Sequence, residues 1–333
     1  MKNTLDGFSM AVPDVDAAAH LFRTVFGAEV PASADGRAAV VDDHGAPARS
    51  VLLQLDPRTR LRLFAYEASA GTAFDASVVD IGTAHFCFRT GDIEQAARFL
   101  AQCPGIRILG EVMEIPEGAL RHHKWVYFRF PWGAYGELQE WPGIPSAEAA
   151  ELFHGQVPQE ASPVPALMGI DHVGYSVRDL DAAVDLLTSG LGGRRILGSV
   201  ISSGKELMTR QFETPVPALS KMAMVRIGEH TNIELFEHVV DEVRRTGDRL
   251  AVGASRMVFR SDDPAGSGAE LSRRFGFSAA GDGGAGTLLT AGSGLDVEFT
   301  ACRSGGGAPG RPGRAAPRMH DRKQAIHGGK HEE

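Results

Sequence analysis

The sequence predicts an α+β protein built from four βαβββ modules. The first observation is a unit of one short alternating strand, an Asp-capped helix and a glycine, which recurs four times in 333 residues. The second is that each copy continues into about three strands with period-2 alternation. The third is a Pro-rich segment near the middle of the chain, which separates two copies from two. A repeat of this length decides the architecture before any single element does.

The two clearest copies read "FSMAVPDVDAAAHLFRTVFGAEV" and "HVGYSVRDLDAAVDLLTSGLGGRRI". Asp14 and Asp179 stand just before the apolar helical pattern, where an aspartate caps the first free backbone N–H groups. Gly27 and Gly192 follow the pattern and are typical helix stops. The two segments therefore predict the same strand–helix unit.

The other two copies are "HFCFRTGDIEQAARFLAQCPGIRI" and "RMVFRSDDPAGSGAELSRRFGFSAAG". Asp92 lies near the helix start of the first of these. In the second, "DDPAG" is expected to disrupt the first helical turn. Each of the four modules ends in a recognisable alternating strand: "RLRLFAYE" (60–67), "YGELQEW" (135–141), "NIELFEH" (232–238) and "LDVEFTA" (295–301).

Four segments follow from this pattern. Residues 1–142 form a first module pair, 143–167 a Pro-rich linker, and 168–302 a second module pair. The tail, 303–333, is rich in Gly, Pro and Arg and poor in large apolar residues. Such a segment buries too little surface to offset its ordering entropy, so we expect it to be disordered.

Composition excludes several classes of function. The net charge of −8 argues against nucleic acid as the main partner. Three cysteines without metal-type spacing favour a reducing compartment, so we expect a cytoplasmic protein. The N-terminal "MKNTLDGF" lacks a signal-type apolar region, and no run of 18 apolar residues occurs, so no membrane association is expected.

A βαβββ unit that opens with "DHVGYSVRDLDAA" and closes with "IELFE" resembles the vicinal oxygen chelate superfamily. This group includes glyoxalase I, extradiol dioxygenases, methylmalonyl-CoA epimerase and bleomycin-resistance proteins. The resemblance covers roughly residues 5 to 302 and is strongest in the third module. It implies that modules pair, that their curled sheets form a cup, and that a divalent metal sits in the cup.

The resemblance places metal ligands on the first and last strands of each module. The first and fourth modules offer poor or incomplete sets, whereas the second and third each offer a histidine and a glutamate. By module, the positions are Phe8 and Arg62, then His85 and Glu137, then His172 and Glu234, then Met257 and Glu298. The implied metal ligands are therefore His85, Glu137, His172 and Glu234, with Glu298 left open.

Strand alternation supports the same residues independently. In "NIELFEH" the apolar Ile233 and Leu235 point to one face and Glu234 to the other. The same alternation turns His85, His172 and Glu137 away from the apolar layer. Two imidazoles and two carboxylates suit Mn²⁺, Ni²⁺, Co²⁺, Fe²⁺ or Zn²⁺ with positions left for a substrate.

The pairing of the modules stays open at this point. If modules pair one–two and three–four, the second cup holds His172, Glu234 and Glu298. If they pair two–three and one–four, all four good ligands converge in a single site. Ligand count favours the second arrangement.

The implied reaction is an isomerisation. A divalent ion acts as a Lewis acid on a ketone with a neighbouring oxygen and stabilises the enediolate left by deprotonation. Glu137 and Glu234, from different modules, are the candidate proton carriers. The sequence looks most like the epimerase branch, where some members act on the keto-cyclitol 2-epi-5-epi-valiolone in natural-product biosynthesis.

Other functions remain alternatives. A glyoxalase-I-like lyase uses the same chemistry. An extradiol dioxygenase needs a second histidine where the fourth module has Met257, a thioether unsuited to that iron site. A non-catalytic resistance protein that only binds a small molecule is the alternative from another class. In each case the partner is a small molecule, and a homodimer is compatible with the sequence.

Overall fold

The computed structural model describes residues 3–31, 40–41, 47–66, 75–118, 120–141, 159–240, 251–283, 286–290 and 293–302. These residues form five α-helices and sixteen strands. The helices are α1 (Val15–Phe26), α2 (Ile93–Leu100), α3 (Leu180–Asp185), α4 (Lys205–Phe212) and α5 (Pro264–Phe275). A π-helical turn, Leu186–Gly190, extends α3.

The strands fall into four groups of four, one group for each module. The first two groups are β1 (Asn3–Ala11), β2 (Val40–Val41), β3 (Pro47–Gln54), β4 (Arg60–Ala65), β5 (Ala84–Thr90), β6 (Arg107–Glu114), β7 (Lys124–Arg129) and β8 (Tyr135–Glu140). The last two are β9 (Leu167–Ser176), β10 (Arg194–Ser203), β11 (Ala218–Ile227), β12 (Thr231–Val239), β13 (Ser255–Ser261), β14 (Ser278–Gly283), β15 (Gly286–Thr290) and β16 (Asp296–Ala301).

An aspartate caps the main helix of every module. The side chains of Asp14, Asp92, Asp179 and Asp263 each accept a hydrogen bond from a backbone N–H three residues on, at 2.9–3.0 Å. The expected disruption by "DDPAG" is wrong, because Pro264 occupies the first helical turn, where its missing N–H costs no hydrogen bond.

The modules are joined in two eight-stranded sheets. Modules two and three form the 2–3 sheet, with strand order β10-β11-β12-β9-β5-β8-β7-β6. Modules one and four form the 1–4 sheet, with order β14-β15-β16-β13-β1-β4-β3-β2. In each module the first and last strands pair in parallel, and two modules join through their first strands, which run antiparallel.

The pairing favoured by ligand count is thus the one present. The segments 1–142 and 168–302 each contribute one module to each sheet. Residues 143–158 of the predicted linker and the tail predicted to be disordered, 303–333, lie outside the described residues.

One apolar core joins the helix-covered faces of the two sheets. Phe26 of α1 stacks on Phe88 of β5 with ring centroids 4.4 Å apart, so the helix of module one packs on a strand of module two. Phe8 of β1 meets Phe86 of β5 edge-on at 5.9 Å. The predicted α+β fold with four βαβββ modules in curled, paired sheets is confirmed. None of the described helices is long and apolar enough to cross a membrane.

Candidate metal centre

The four residues predicted as metal ligands lie on four neighbouring strands of the 2–3 sheet. His85 is on β5, Glu137 on β8, His172 on β9 and Glu234 on β12, and these strands are adjacent in the order β12-β9-β5-β8. His85 and Glu234 each lie between two residues of the apolar core, and Glu137 and His172 each have one core neighbour, Leu138 and Val173. Alternation therefore turns all four side chains to the opposite, concave face.

Their donor atoms converge on one point. The Nε2 atoms of His85 and His172 are 3.4 Å apart. The Oε2 atom of Glu234 lies 3.2 Å from Nε2 of His85 and 3.3 Å from Nε2 of His172. The Oε2 atom of Glu137 lies 3.4 Å from both nitrogens. All four ligand atoms are within 4.8 Å of one another.

This spacing matches what a single ion requires of its ligands. Bonds of about 2.1 Å to one ion separate neighbouring donors by about 3.0 Å in an octahedron and about 3.4 Å in a tetrahedron. The observed 3.2–3.4 Å falls in this interval. Two neutral imidazoles with two carboxylates also form a donor set used by divalent transition metals.

The electrostatic environment of the four residues also favours a bound cation. Burial by itself lowers the pKa of both histidines. For His85, hydrogen bonds and charge from Glu137 and Glu234 outweigh burial and raise the pKa above its usual range. For His172, the interactions with Cys87 and Glu234 and the hydrogen bond with Asp171 outweigh burial and raise the pKa well above its usual range. The site therefore attracts positive charge.

The two carboxylates explain this attraction. Burial raises the pKa of Glu137 and Glu234, but the two histidines more than compensate and lower it, so both groups are ionised at neutral pH. Glu137 is 5% exposed and Glu234 9%. Two ionised carboxylates at this depth need a compensating cation, which a divalent ion supplies directly. The residues present thus fit a divalent metal.

The missing side chain of Gly174 makes room for His85. Gly174 is the direct antiparallel partner of His85 in the β5–β9 pair. A Cβ atom at residue 174 would lie 1.9 Å from Cε1 of the His85 ring. Any larger residue there would displace the imidazole, so glycine is a requirement of the site.

Asp171 orients His172, a role that the sequence did not reveal. Its Oδ1 atom lies 3.1 Å from Nδ1 of His172, which favours a proton on Nδ1 and leaves the Nε2 lone pair directed at the cluster. Its Oδ2 atom accepts from Nε1 of Trp141 at 3.0 Å. Residues in a regular strand alternate faces, but the pairing passes from His172 to Ile170 and leaves Asp171 in a bulge.

Tyr127 and Cys87 complete the immediate surroundings. The Tyr127 hydroxyl is 3.3 Å from Nε2 of His85 and projects from β7 next to Glu137. Cys87 is fully buried between the partners His172 and Glu137 in the sheet. Burial raises the pKa of both groups well above the usual range, so both are neutral hydrogen-bonding groups.

In modules one and four, the first-strand positions predicted from the sequence differ by one residue from those that correspond to His85 and His172. Phe8 and Met257 are 2% and 0% exposed and belong to the apolar core. Gly7 and Arg256 occupy the positions equivalent to His85 and His172, because each stands seven residues before its helix-capping aspartate. A one-residue shift moves a side chain to the opposite face of the strand. The assignment of Phe8 and Met257 to the first-strand ligand positions is therefore wrong.

Arg62 and Glu298 lie with them in the 1–4 sheet, away from the cluster. Arg62 is the sheet partner of Ser9, as Glu137 is of Cys87. Glu298 therefore does not join the four converging residues of the 2–3 sheet.

No known family model matches the chain. It is 36% identical over 149 residues to an Actinomyces protein named 2-epi-5-epi-valiolone epimerase, across 42% of this chain and 81% of that protein. Glyoxalase I from Zea mays has a TM-score of 0.59 at 14% identity, over 90% of this chain and 92% of the maize chain. This chain belongs to the vicinal oxygen chelate superfamily.

Within the vicinal oxygen chelate superfamily, the two similarities carry different information. The maize enzyme spans the whole four-module architecture, but at 14% identity it shows the fold alone. A variant of the same enzyme gives a TM-score of 0.58 over 90% of this chain. The Actinomyces protein matches less than half of the chain, at an identity that shows common descent.

Proposed function

We propose that this protein is a metal-dependent isomerase that epimerises a small ketone bearing an oxygen on the neighbouring carbon. The convergence of His85, Glu137, His172 and Glu234 carries the proposal. The relative named 2-epi-5-epi-valiolone epimerase supports both the reaction class and a keto-cyclitol of that kind as substrate.

The four converging residues would hold the ion, which is Mn²⁺, Ni²⁺, Co²⁺, Fe²⁺ or Zn²⁺ by donor chemistry. Such an ion supplies Lewis acidity, which lowers the pKa of the C–H bond next to a substrate carbonyl. The Asp171 carboxylate keeps His172 in the orientation and tautomer that this binding requires.

Glu137 and Glu234 are the proposed proton carriers. Both are ionised because the histidines lower their pKa, so each is able to accept a proton. They come from different modules, on strands β8 and β12 that flank the two histidine strands. An epimerisation removes a proton on one face of a carbon and returns one on the other, and two carboxylates from opposite sides suit that task.

The concave face also offers neutral groups for substrate hydroxyls. His238 lies on β12 on the same face as Glu234, and its Nδ1 atom is 2.8 Å from the Ser220 hydroxyl. Burial lowers the pKa of His238 to about 4, so the ring is neutral. Its buried Nε2 atom has no hydrogen-bond partner among the described residues. We assign His238 and Tyr127 to substrate binding.

The cellular setting is part of the same proposal. The partner is a small molecule, the location is the cytoplasm, and a homodimer is compatible with the fold. The location rests on the cysteine usage described above, and the small-molecule partner rests on the metal centre.

Metal analysis and isotope exchange test the proposal together. We expect about one divalent ion per chain in the purified protein, and loss of that ion in His85→Ala and in His172→Ala. His230→Ala is the matched control, because His230 is an exposed histidine in the turn between β11 and β12. Retention of the metal in both ligand variants would contradict the site.

Incorporation of deuterium from the solvent into the substrate tests the reaction class. Incubation of 2-epi-5-epi-valiolone with the metal-loaded protein in D₂O should exchange the proton next to the ketone. A protein that only binds its ligand shows no exchange, and oxygen uptake with a catechol would indicate a dioxygenase instead. Either of those results overturns the epimerase assignment while leaving the metal site intact.

A further inference from the structure

The 1–4 sheet repeats the geometry of the metal centre with different side chains. In the 2–3 sheet, Cys87 of β5 pairs with His172 of β9 on one side and with Glu137 of β8 on the other. These three residues form one row across three neighbouring strands. The matching row in the 1–4 sheet is Arg256, Ser9 and Arg62, on strands β13, β1 and β4. Two arginines thus occupy the places of a histidine and a glutamate.

This row points to the concave face of its sheet. Arg62 lies between Leu61 and Leu63, which are fully buried in the apolar core on the helix-covered side. Met257, the neighbour of Arg256, is in the same core. Alternation therefore turns both arginines to the other face, as it does for the metal-centre residues.

Each residue of the row has polar atoms without a hydrogen-bond partner among the described residues. Arg256 is 3% exposed, and although its Nη2 atom donates to the Tyr66 hydroxyl at 2.8 Å, its buried Nε has no hydrogen-bond partner among the described residues. Ser9 is 1% exposed, and its Oγ atom is likewise unpartnered there. Arg62 is half-buried and makes no ion pair or hydrogen bond with a described residue. Buried donors without acceptors are costly.

We propose that Arg62, Ser9 and Arg256 form a second, metal-independent binding site for the oxyanion group of a small molecule, a carboxylate or a phosphate. The guanidinium groups supply charged donors in a planar fork that matches both anions. The Ser9 hydroxyl, between them in the row, supplies a further donor.

The acidic residues near this row indicate which other groups the ligand carries. Glu298 is half-buried on the same face of β16, and Asp296 lies two residues before it on that face. Burial lowers the pKa of Arg256, but Tyr66 and the negative charges of Glu298 and Asp296 outweigh burial and raise it, so the guanidinium stays charged. Glu298 makes no ion pair with a described residue and is able to accept a hydrogen bond from a ligand hydroxyl. The site therefore suits a hydroxylated molecule that carries one carboxylate or phosphate.

Calorimetric titration of the full chain with inorganic phosphate, and separately with acetate, tests this site. Sodium chloride keeps the ionic strength constant. We expect saturable binding of one anion per chain, with the tighter anion identifying the group. Arg62→Met should weaken binding at least about tenfold, because a charge-assisted hydrogen bond is lost. Arg49→Met is the matched control, since Arg49 is an exposed arginine on the other face of the same sheet.

A double variant separates this site from the metal centre. In His85→Ala/His172→Ala, anion binding should persist unchanged, because those residues belong to the other sheet. Ser9→Ala, which removes only a hydroxyl, should also weaken anion binding and provides a second change in the row if Arg62→Met fails to fold. Absence of saturable binding, loss in the histidine double variant, or equal weakening by Arg49→Met would each overturn the second site.

Discussion

The 2–3 sheet and the 1–4 sheet share strand order and the antiparallel register of their first strands, yet they present different chemistry. The 2–3 sheet directs two histidines and two glutamates to one point. At the equivalent positions the 1–4 sheet has Gly7, Arg62, Arg256 and Glu298. The paired βαβββ backbone thus brings four positions together, and the residues at those positions decide what is bound.

The loss of one ligand in the 1–4 sheet has a backbone cause. Gly7 has φ of +155°, and a Cβ atom there would lie 2.4 Å from the carbonyl oxygen of Arg60. No histidine fits that position. In the 2–3 sheet the situation is inverted, because His85 occupies the place of Gly7 and Gly174 opposite it provides the space.

The largest expected difference between the sheets concerns their matched glutamates. Glu234→Gln should lower kcat/KM for epimerisation by about 10²–10⁴, because it removes a proton carrier and a charged ligand. Glu298→Gln, at the equivalent position of the 1–4 sheet, should leave kcat/KM within about twofold, since that site is separate from the chemistry. Steady-state kinetics of both variants tests this prediction. Similar losses of kcat/KM in the two variants would show that the sheets do not differ in function.

A smaller loss is expected when the space for His85 is filled. Gly174→Ala should weaken metal binding by about 100-fold, because the new methyl group displaces one imidazole ligand. The affinity is measured by competition with a chromophoric chelator. Gly204→Ala is the control, since no atom lies within 4 Å of a Cβ there. Unchanged affinity in Gly174→Ala would show that His85 is not a ligand.

The smallest effect is expected for the residue that orients a ligand. Asp171→Asn should weaken metal binding about tenfold, because the amide holds the His172 tautomer less firmly. Ser255 precedes Arg256 as Asp171 precedes His172, so Ser255→Ala is the matched change in the 1–4 sheet. The same competition assay should detect no change for Ser255→Ala. Equal effects of both would assign Asp171 a general structural role.

Local pattern was sufficient for much of the fold and for the converging residues. Period-2 alternation is a property of a single strand, so His85, His172, Glu137 and Glu234 could be placed on one face from sequence alone. Asp14 and Asp179 mark helix starts through a hydrogen bond within one turn, which is equally local.

What sequence reasoning missed depends on details between strands. Phe8 and Met257 differ from the correct positions by one residue, and apolar composition does not distinguish two faces when both are buried. The constant seven-residue distance to the capping aspartate would have identified Gly7 and Arg256. Asp171 was hidden because a bulge exists only relative to a partner strand, which the sequence does not specify.

The pairing of the chain's first and last modules has a consequence for how the protein is made. The Ser267 hydroxyl of module four donates a hydrogen bond to Oδ1 of Asn3, and the two residues are 264 positions apart in sequence. His85 and His172, which meet in the 2–3 sheet, are only 87 positions apart. On the ribosome, modules two and three are complete while module four is still unsynthesised. Strand β1 must wait with an unpaired edge until β13 emerges, which makes the N-terminal module the one most exposed to aggregation in the nascent chain.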